Sequence, residues 1–173
     1  GSNNQVLTAT VNGGIWSVST PPGGSGVSLM QYDGVDGVTT LDGPTVNGLG
    51  GFDATLNGAA IGLHFIISSD LPTEYTFTFY DANNQISSTV VNIPGGDNFD
   101  DYNVFFNDLT GSANLASLGA FEIQIEAFDN VDTVVQGFFF IGPVASVAPS
   151  VPVVPTPEPQ PSPNGFTWYT FDD

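Results

Sequence analysis

The chain has 173 residues, of which 40% are hydrophobic and 12% aromatic, which is enough for one domain with a full apolar core. It carries 18 acidic residues and no lysine or arginine, so its formal net charge is −18. Without a cation to displace counterions from phosphate, the composition argues against nucleic-acid partners and disfavours anionic membrane surfaces. Cysteine is absent, which excludes disulfides and thiolate zinc sites. The sequence also contains no apolar run long enough to span a membrane.

Alternation of apolar and polar residues runs through most of the chain, whereas helical periodicity is almost absent. Gly, Asn, Asp and Pro separate the alternating runs, as expected for turns between strands. Residues 42–58 are predicted to be mostly loop, and residues 112–119 could hold one helical turn at most. The predicted strands are, in chain order, 5–11, 15–19, 27–32, 59–69, 74–81, 86–93, 102–106, 121–128 and 133–141.

The cleanest strand pattern is that of residues 121–128. Phe121, Ile123 and Ile125 point to one face, and the acidic and amide residues between them point to the other. One face therefore meets a core and the other meets water. Short strands at this spacing without helices predict an all-β fold: a single antiparallel β-sandwich, jelly-roll-like, over residues 1–142.

Four stretches carry a resemblance to a known family. They are YDGVDGVTTLDG (32–43), GLGGFDATLNGAAIGLHFIISSD (48–70), YTFTFYDANNQISSTVVNIPGG (75–96) and LGAFEIQIEA (118–127). The pattern resembles a β-sandwich domain of secreted bacterial exoproteins, including surface proteins of the PEP-CTERM type, and its architecture is similar to carbohydrate-binding jelly rolls. The resemblance implies a secreted, extracellular protein at a bacterial surface or in a matrix. Two departures stand out: the sorting signal of such proteins is missing, and the last strand reads Phe138-Phe139-Phe140-Ile141 where many binding modules end differently, so no sugar site can be transferred residue by residue.

The end of the chain has a different composition. Residues 143–165 are rich in proline, which favours an extended polyproline II linker, and residues 149–163 would span roughly 45 Å in that conformation. A domain of this size has a diameter of about 40 Å, so the linker can carry the last residues clear of it. Those residues, 166–173, begin with FTWYTF, and each of these six side chains favours a strand. We call residues 166–171 the C-terminal aromatic segment.

An aromatic strand on an extended arm needs a partner for its rings and its backbone groups. The main hypothesis is therefore a structural subunit that polymerises head to tail into an extracellular filament by docking its arm and strand on a neighbouring copy. The alternative is a monomeric extracellular carbohydrate-binding or adhesive module, with polysaccharide as the partner and the tail as a spacer. The residues predicted to make the subunit contact are Phe166, Trp168, Tyr169, Phe171, Pro155, Pro157 and Pro159.

Loop carboxylates beside Gly and Asn carbonyls offer oxygen ligands of the kind that Ca²⁺ prefers. The competing interpretation is that these side chains form Asx turns in solvated loops. Calcium is the cofactor candidate that the sequence offers. The candidate ligands are Asp33, Asp36, Asp97, Asp100, Asp101, Asp129 and Asp132.

The sequence favours a protein that is not an enzyme. His64 is the single histidine, and its apolar neighbours in a strand predict a core or inter-strand residue. Glu122 and Glu126 share a strand face but lie about 13 Å apart, too far for a glycosidase pair. Aromatic residues that could stack on sugars also alternate within strands, where core or edge packing is the competing interpretation. They are Trp16, Tyr32, Tyr75, Tyr80 and Tyr102.

Overall fold

Ten strands form the fold in the computed structural model, which describes residues 7–34, 47–96 and 98–143. They are β1 (Thr8–Asn12), β2 (Ile15–Ser19), β3 (Ser25–Tyr32), β4 (Gly62–Ser69), β5 (Thr73–Asp81), β6 (Ile86–Ile93), β7 (Asp100–Phe105), β8 (Thr110–Gly111), β9 (Leu118–Phe128) and β10 (Asp132–Ile141). Short 3-10 helices occupy Phe106–Asp108 and Leu115–Ser117. Within the described ranges there is no helix with the length and apolar character that a membrane span requires.

The strands form two five-stranded antiparallel sheets that face each other. Sheet A has the order β1-β2-β10-β4-β7, and sheet B has the order β3-β9-β5-β6-β8. The predicted all-β antiparallel sandwich is therefore confirmed. The predicted linker and C-terminal strand, residues 144–173, lie outside the described residues, so the domain boundaries stay a prediction.

The core lies between the sheets and is built from alternate residues of each strand. Phe65 of β4 and Phe77 of β5 meet across it with ring centroids 4.7 Å apart, and both are fully buried. On β9, Ile123 and Ile125 are fully buried as the alternation predicts, while Glu126 points outward and is exposed. The period-two pattern thus determines which face of each sheet becomes the core.

A buried hydrogen bond between Tyr75 and Thr133 joins the two sheets through the core. The Tyr75 hydroxyl of β5 donates to Oγ1 of Thr133 on β10, because Thr133 donates its own proton to the Ser68 carbonyl at 3.0 Å. Burial raises the pKa of Tyr75 well above its usual range, so the phenol stays protonated. Tyr75 is therefore a core residue and does not contact a sugar.

We expect Tyr75→Phe to lower the free energy of unfolding by about 1 kcal/mol, the usual net value of one internal hydrogen bond. In a domain of this size the melting temperature should fall by roughly 2–4 °C. Thermal unfolding followed by circular dichroism measures the change. Tyr80→Phe, at a half-buried tyrosine on the outer face of sheet B, is the matched control and should leave the melting temperature unchanged.

Candidate functional site

The outer face of sheet A carries exposed aromatic rings next to polar side chains. On β4, Leu63, Phe65 and Ile67 point into the core, so His64 and Ile66 point outward. The pairing of β4 with its two neighbours then fixes which residues lie beside them. His64 pairs with Phe139 of β10 on one side and with Asn103 of β7 on the other.

Two phenylalanines flank the centre of this face. Phe139 is 56% exposed and Phe105, on β7, is 39% exposed. Strand β4 separates them, and its Gly62 pairs with Phe105. A Cβ atom added at Gly62 would come within 2.4 Å of the Val104 carbonyl oxygen. Gly62 therefore places no side chain beside Phe105. We call the surface between Phe105 and Phe139 the Phe139 face.

A β-bulge sets the direction of Phe139. The register of β10 against β4 shifts between Gln136 and Phe138, with Gly137 as the extra residue at φ +63°. A Cβ atom on Gly137 would lie 3.1 Å from the Phe139 ring, so the ring lies over the glycine. The bulge lets Phe138 enter the core while Gln136 and Phe139 both face outward.

Both ring nitrogens of His64 lie close to side-chain oxygens of β7. Nδ1 lies 3.0 Å from Oδ1 of Asn103, and Nε2 lies 3.2 Å from Oδ1 of Asp101. The ring centroid of Phe139 is 6.2 Å from that of His64. Asp101 is 75% exposed and therefore keeps free acceptor capacity toward solvent. The face thus presents an apolar ring beside ordered donors and acceptors.

His64 is an inter-strand residue on a sheet face, one of the two places that the sequence predicts for it. The sequence pattern did not select Phe139, Phe105, Asn103 or Gln136 as site residues. The available signal was three consecutive phenylalanines in the last strand, since alternation requires at least one of them to face solvent.

The predicted stacking aromatics lie in separate places. Trp16 is 3% exposed and Tyr75 fully buried, so both belong to the core. Tyr102 is half-buried and stacks on Phe65, with centroids 6.3 Å apart. Tyr80 lies on the outer face of sheet B, and Tyr32 is 42% exposed at one end of the sandwich. The structure does not bring these five rings together in one site.

The candidate calcium ligands are also dispersed. Asp129 accepts a hydrogen bond from the Gly23 backbone, and the backbone N–H of Asp132 donates to Asp70 at 2.8 Å. Asp100 and Asp101 are neighbours on β7, and Asp33 follows β3, while Asp36 and Asp97 lie outside the described residues. No group of three or more His, Asp or Glu residues in the described part of the chain could hold a metal ion. Calcium binding stays a prediction.

Comparison with protein-family models and with curated proteins finds no match for this chain. Solved structures do resemble its fold. A family 11 carbohydrate-binding module of a cellulosomal cellulase from Clostridium thermocellum is similar over 85% of this chain and 88% of its own, with a TM-score of 0.52 and 10% identity. An agarase is similar over 80% of this chain, with a TM-score of 0.57 and 10% identity, and this chain spans 22% of that protein. At these identities the likeness concerns the fold, and the resemblance to PEP-CTERM-type exoproteins stays a prediction.

Proposed function

We propose that this domain is a carbohydrate-binding module and that the Phe139 face is its binding site. The observation that carries the proposal is a ring that is 56% exposed on the outer face of sheet A, beside a histidine whose two ring nitrogens lie 3.0 Å and 3.2 Å from side-chain oxygens. The likeness in fold to a carbohydrate-binding module supports it. It supports the carbohydrate-binding part of the alternative in the sequence analysis, whereas the comparisons give no support to the filament hypothesis.

The chemistry of the face suits a sugar ring. The axial C–H groups of a pyranose form an apolar patch that can lie on the face of Phe139, whose quadrupole is negative there. Hydroxyl groups at the sugar edge both donate and accept, and Asp101, Asn103 and Gln136 offer acceptors and donors at the periphery. An apolar platform with a few polar groups of fixed direction is the usual composition of a small-molecule site.

The proposal concerns binding and not cleavage. Glycoside hydrolysis ordinarily requires two carboxyl groups about 5–9.5 Å apart. On the described part of the Phe139 face we identify one carboxylate, that of Asp101. We extend the proposal to an extracellular location, where structural polysaccharides of cell walls and matrices occur.

The charge of the chain defines the class of ligand. A protein with net charge −18 and no lysine or arginine repels uronates and sulfated glycans, and Asp101 adds a negative charge on the site itself. The ligand should therefore be a neutral polysaccharide.

Affinity electrophoresis in native gels tests this proposal with a panel of polysaccharides. Neutral β-glucans, galactans or agarose should retard the protein, whereas alginate and polygalacturonate should not, even at low ionic strength. Lack of retardation by every neutral polymer in the panel would contradict the proposed function. Retardation by the acidic polymers alone would contradict the assignment of ligand charge.

A further inference from the structure

An apolar groove opens between the two sheets at one end of the sandwich. It has a volume of about 500 Å³, and the described residues that line it carry no charge. The lining is mainly aromatic, and its principal members are Tyr32, Phe52, Phe79, Phe121, Phe138 and Phe140.

The groove has a buried floor and an exposed rim. Phe79 and Leu118 on the floor are 1% and 3% exposed, whereas Phe52 and Phe140 on the rim are each 42% exposed. The two rim rings lie 6.0 Å apart, and Tyr32 stacks on Phe121 at 5.7 Å. A contiguous aromatic surface that is left open to water generally indicates a binding partner.

The chain leaves the described domain at this groove. Strand β10 ends at Ile141, directly after Phe140 of the rim, and Pro143 is the last described residue. The sequence beyond it continues through the Pro-rich linker to the C-terminal aromatic segment, residues 166–171, which contains no charge. An uncharged aromatic segment therefore belongs to the same chain as an uncharged aromatic groove.

We infer that the groove receives the C-terminal aromatic segment of a second copy of this chain. In an extended strand Phe166 and Trp168 point to one side and Tyr169 and Phe171 point to the other. Two neighbouring rings from one side can fill the cavity, and each aromatic side chain offers 150–250 Å² for burial. The groove adjoins the proposed sugar site, because Gly137 and Phe139 also line it, whereas Phe52 and the C-terminal aromatic segment belong to the groove proposal alone.

Linker length decides between the same copy and a second copy. The sequence predicts that residues 149–163 span roughly 45 Å in polyproline II. The residues on either side of that stretch, 143–149 and 163–166, reach at most about 33 Å together. While the linker stays extended, Phe166 therefore stays at least about 12 Å from Pro143, which favours the groove of a second copy over that of the same domain. Docking on a second copy is a heterologous contact, which propagates into an open chain of subunits.

Complementation between two full-length variants tests the inference. Phe52→Ser damages the groove and keeps the segment, and Trp168→Ala damages the segment and keeps the groove. Sedimentation velocity over a range of concentrations should show self-association of the wild type and a roughly 30-fold weaker association of each variant. A mixture of the two variants should form heterodimers and no longer species, because only one intact contact is possible. Phe99→Ser, at a phenylalanine that is 52% exposed and does not line the groove, is the matched control and should associate as the wild type does.

Three outcomes would overturn the inference: a wild type that is monomeric at all concentrations, a Phe52→Ser variant that associates normally, or a mixture that remains monomeric. A monomeric wild type whose Trp168 fluorescence indicates a buried ring would assign the groove to the segment of its own chain. Circular dichroism confirms that the variants are folded. Affinity electrophoresis of the same variants measures sugar binding separately, so failure of one proposal is distinguishable from failure of the other.

Discussion

Phe139→Ala is expected to weaken the binding of neutral polysaccharide roughly 70-fold. Covering one face of the ring removes on the order of 100 Å² of apolar surface from water, which corresponds to about 2.5 kcal/mol or a roughly 70-fold change in affinity. Isothermal titration calorimetry with a neutral oligosaccharide measures the loss. Because the side chain is 56% exposed, the substitution should leave the domain folded with a nearly unchanged melting temperature.

Tyr80→Ala is the matched control for this experiment. Tyr80 is a half-buried aromatic residue on the outer face of sheet B, the opposite side of the sandwich. Its removal should leave the affinity for the oligosaccharide unchanged. If Tyr80→Ala weakens binding and Phe139→Ala does not, the binding site lies on sheet B and the assignment to the Phe139 face is wrong.

Asp81→Asn is expected to cause the largest loss of stability among the substitutions considered. The Asp81 side chain is 2% exposed and connects two segments that are distant in sequence. Oδ1 accepts from the backbone N–H groups of Asn83 and Gln85, at 2.8 Å and 2.9 Å, and Oδ2 accepts from that of Asn114 at 3.0 Å. In Asp81→Asn, one carboxylate oxygen becomes an NH₂ group that faces one of these backbone N–H groups. Because both groups are donors, neither finds an acceptor, and both are left unsatisfied in a buried place.

The loss should appear as a fall in melting temperature of roughly 5–10 °C at neutral pH. Asp108→Asn, at an exposed aspartate in a 3-10 helix, is the control and should change little. A melting temperature that is the same for both variants would mean that the Asp81 carboxylate does not hold these loops.

The same carboxylate makes stability depend on pH. The N–H of Asn114, followed by those of Gln85 and Asn83, holds the pKa of Asp81 below its ordinary value, against the opposing effect of burial. A depressed folded-state pKa contributes stability that is fully present above the unfolded pKa, near 3.9, and is lost as the pH falls through the folded value. Asp81→Asn should therefore lower the free energy of unfolding at neutral pH. It should also reduce the further loss of stability as the pH falls below about 4.

The sequence predicted the fold well because period-two alternation is a strong signal when one face of each strand is buried. Strands at Ile15–Ser19 and Ile86–Ile93 have the predicted bounds, and the face of β9 was assigned correctly. Strand ends were less predictable, as at β4, which begins at Gly62 after a turn that holds Ala59 and Ala60. The two-residue strand β8 carries no pattern that could be detected from its sequence.

The candidate site was harder to predict because it depends on one bulge. Strict alternation along 133–141 would place Val135, Gly137 and Phe139 on one face, and Val135 is a core residue. The extra residue at Gly137 reverses this order beyond it, so Phe138 enters the core and Phe139 faces outward. A single glycine in a strand is consistent with a bulge, but its register is fixed only by pairing with β4.

The groove shows a different limit of sequence reasoning. Tyr32, Phe52 and Phe140 come from three distant parts of the chain, and each is unremarkable within its own segment. Only the packing of two sheets places their rings around one opening. The C-terminal aromatic segment was recognisable from sequence because its composition alone departs from that of a linker, although the groove that we propose for it was not.

The most direct test of the sugar site uses the single histidine of the chain as a reporter. Its imidazole signals in a proton–carbon correlation spectrum require no assignment, and its ring lies at the centre of the Phe139 face, between Phe139 and Asn103. As a neutral oligosaccharide is added at constant pH, we predict that both ring signals shift and saturate with the affinity measured by calorimetry. His64 signals that stay fixed at ligand concentrations that saturate binding would contradict the assignment of this face.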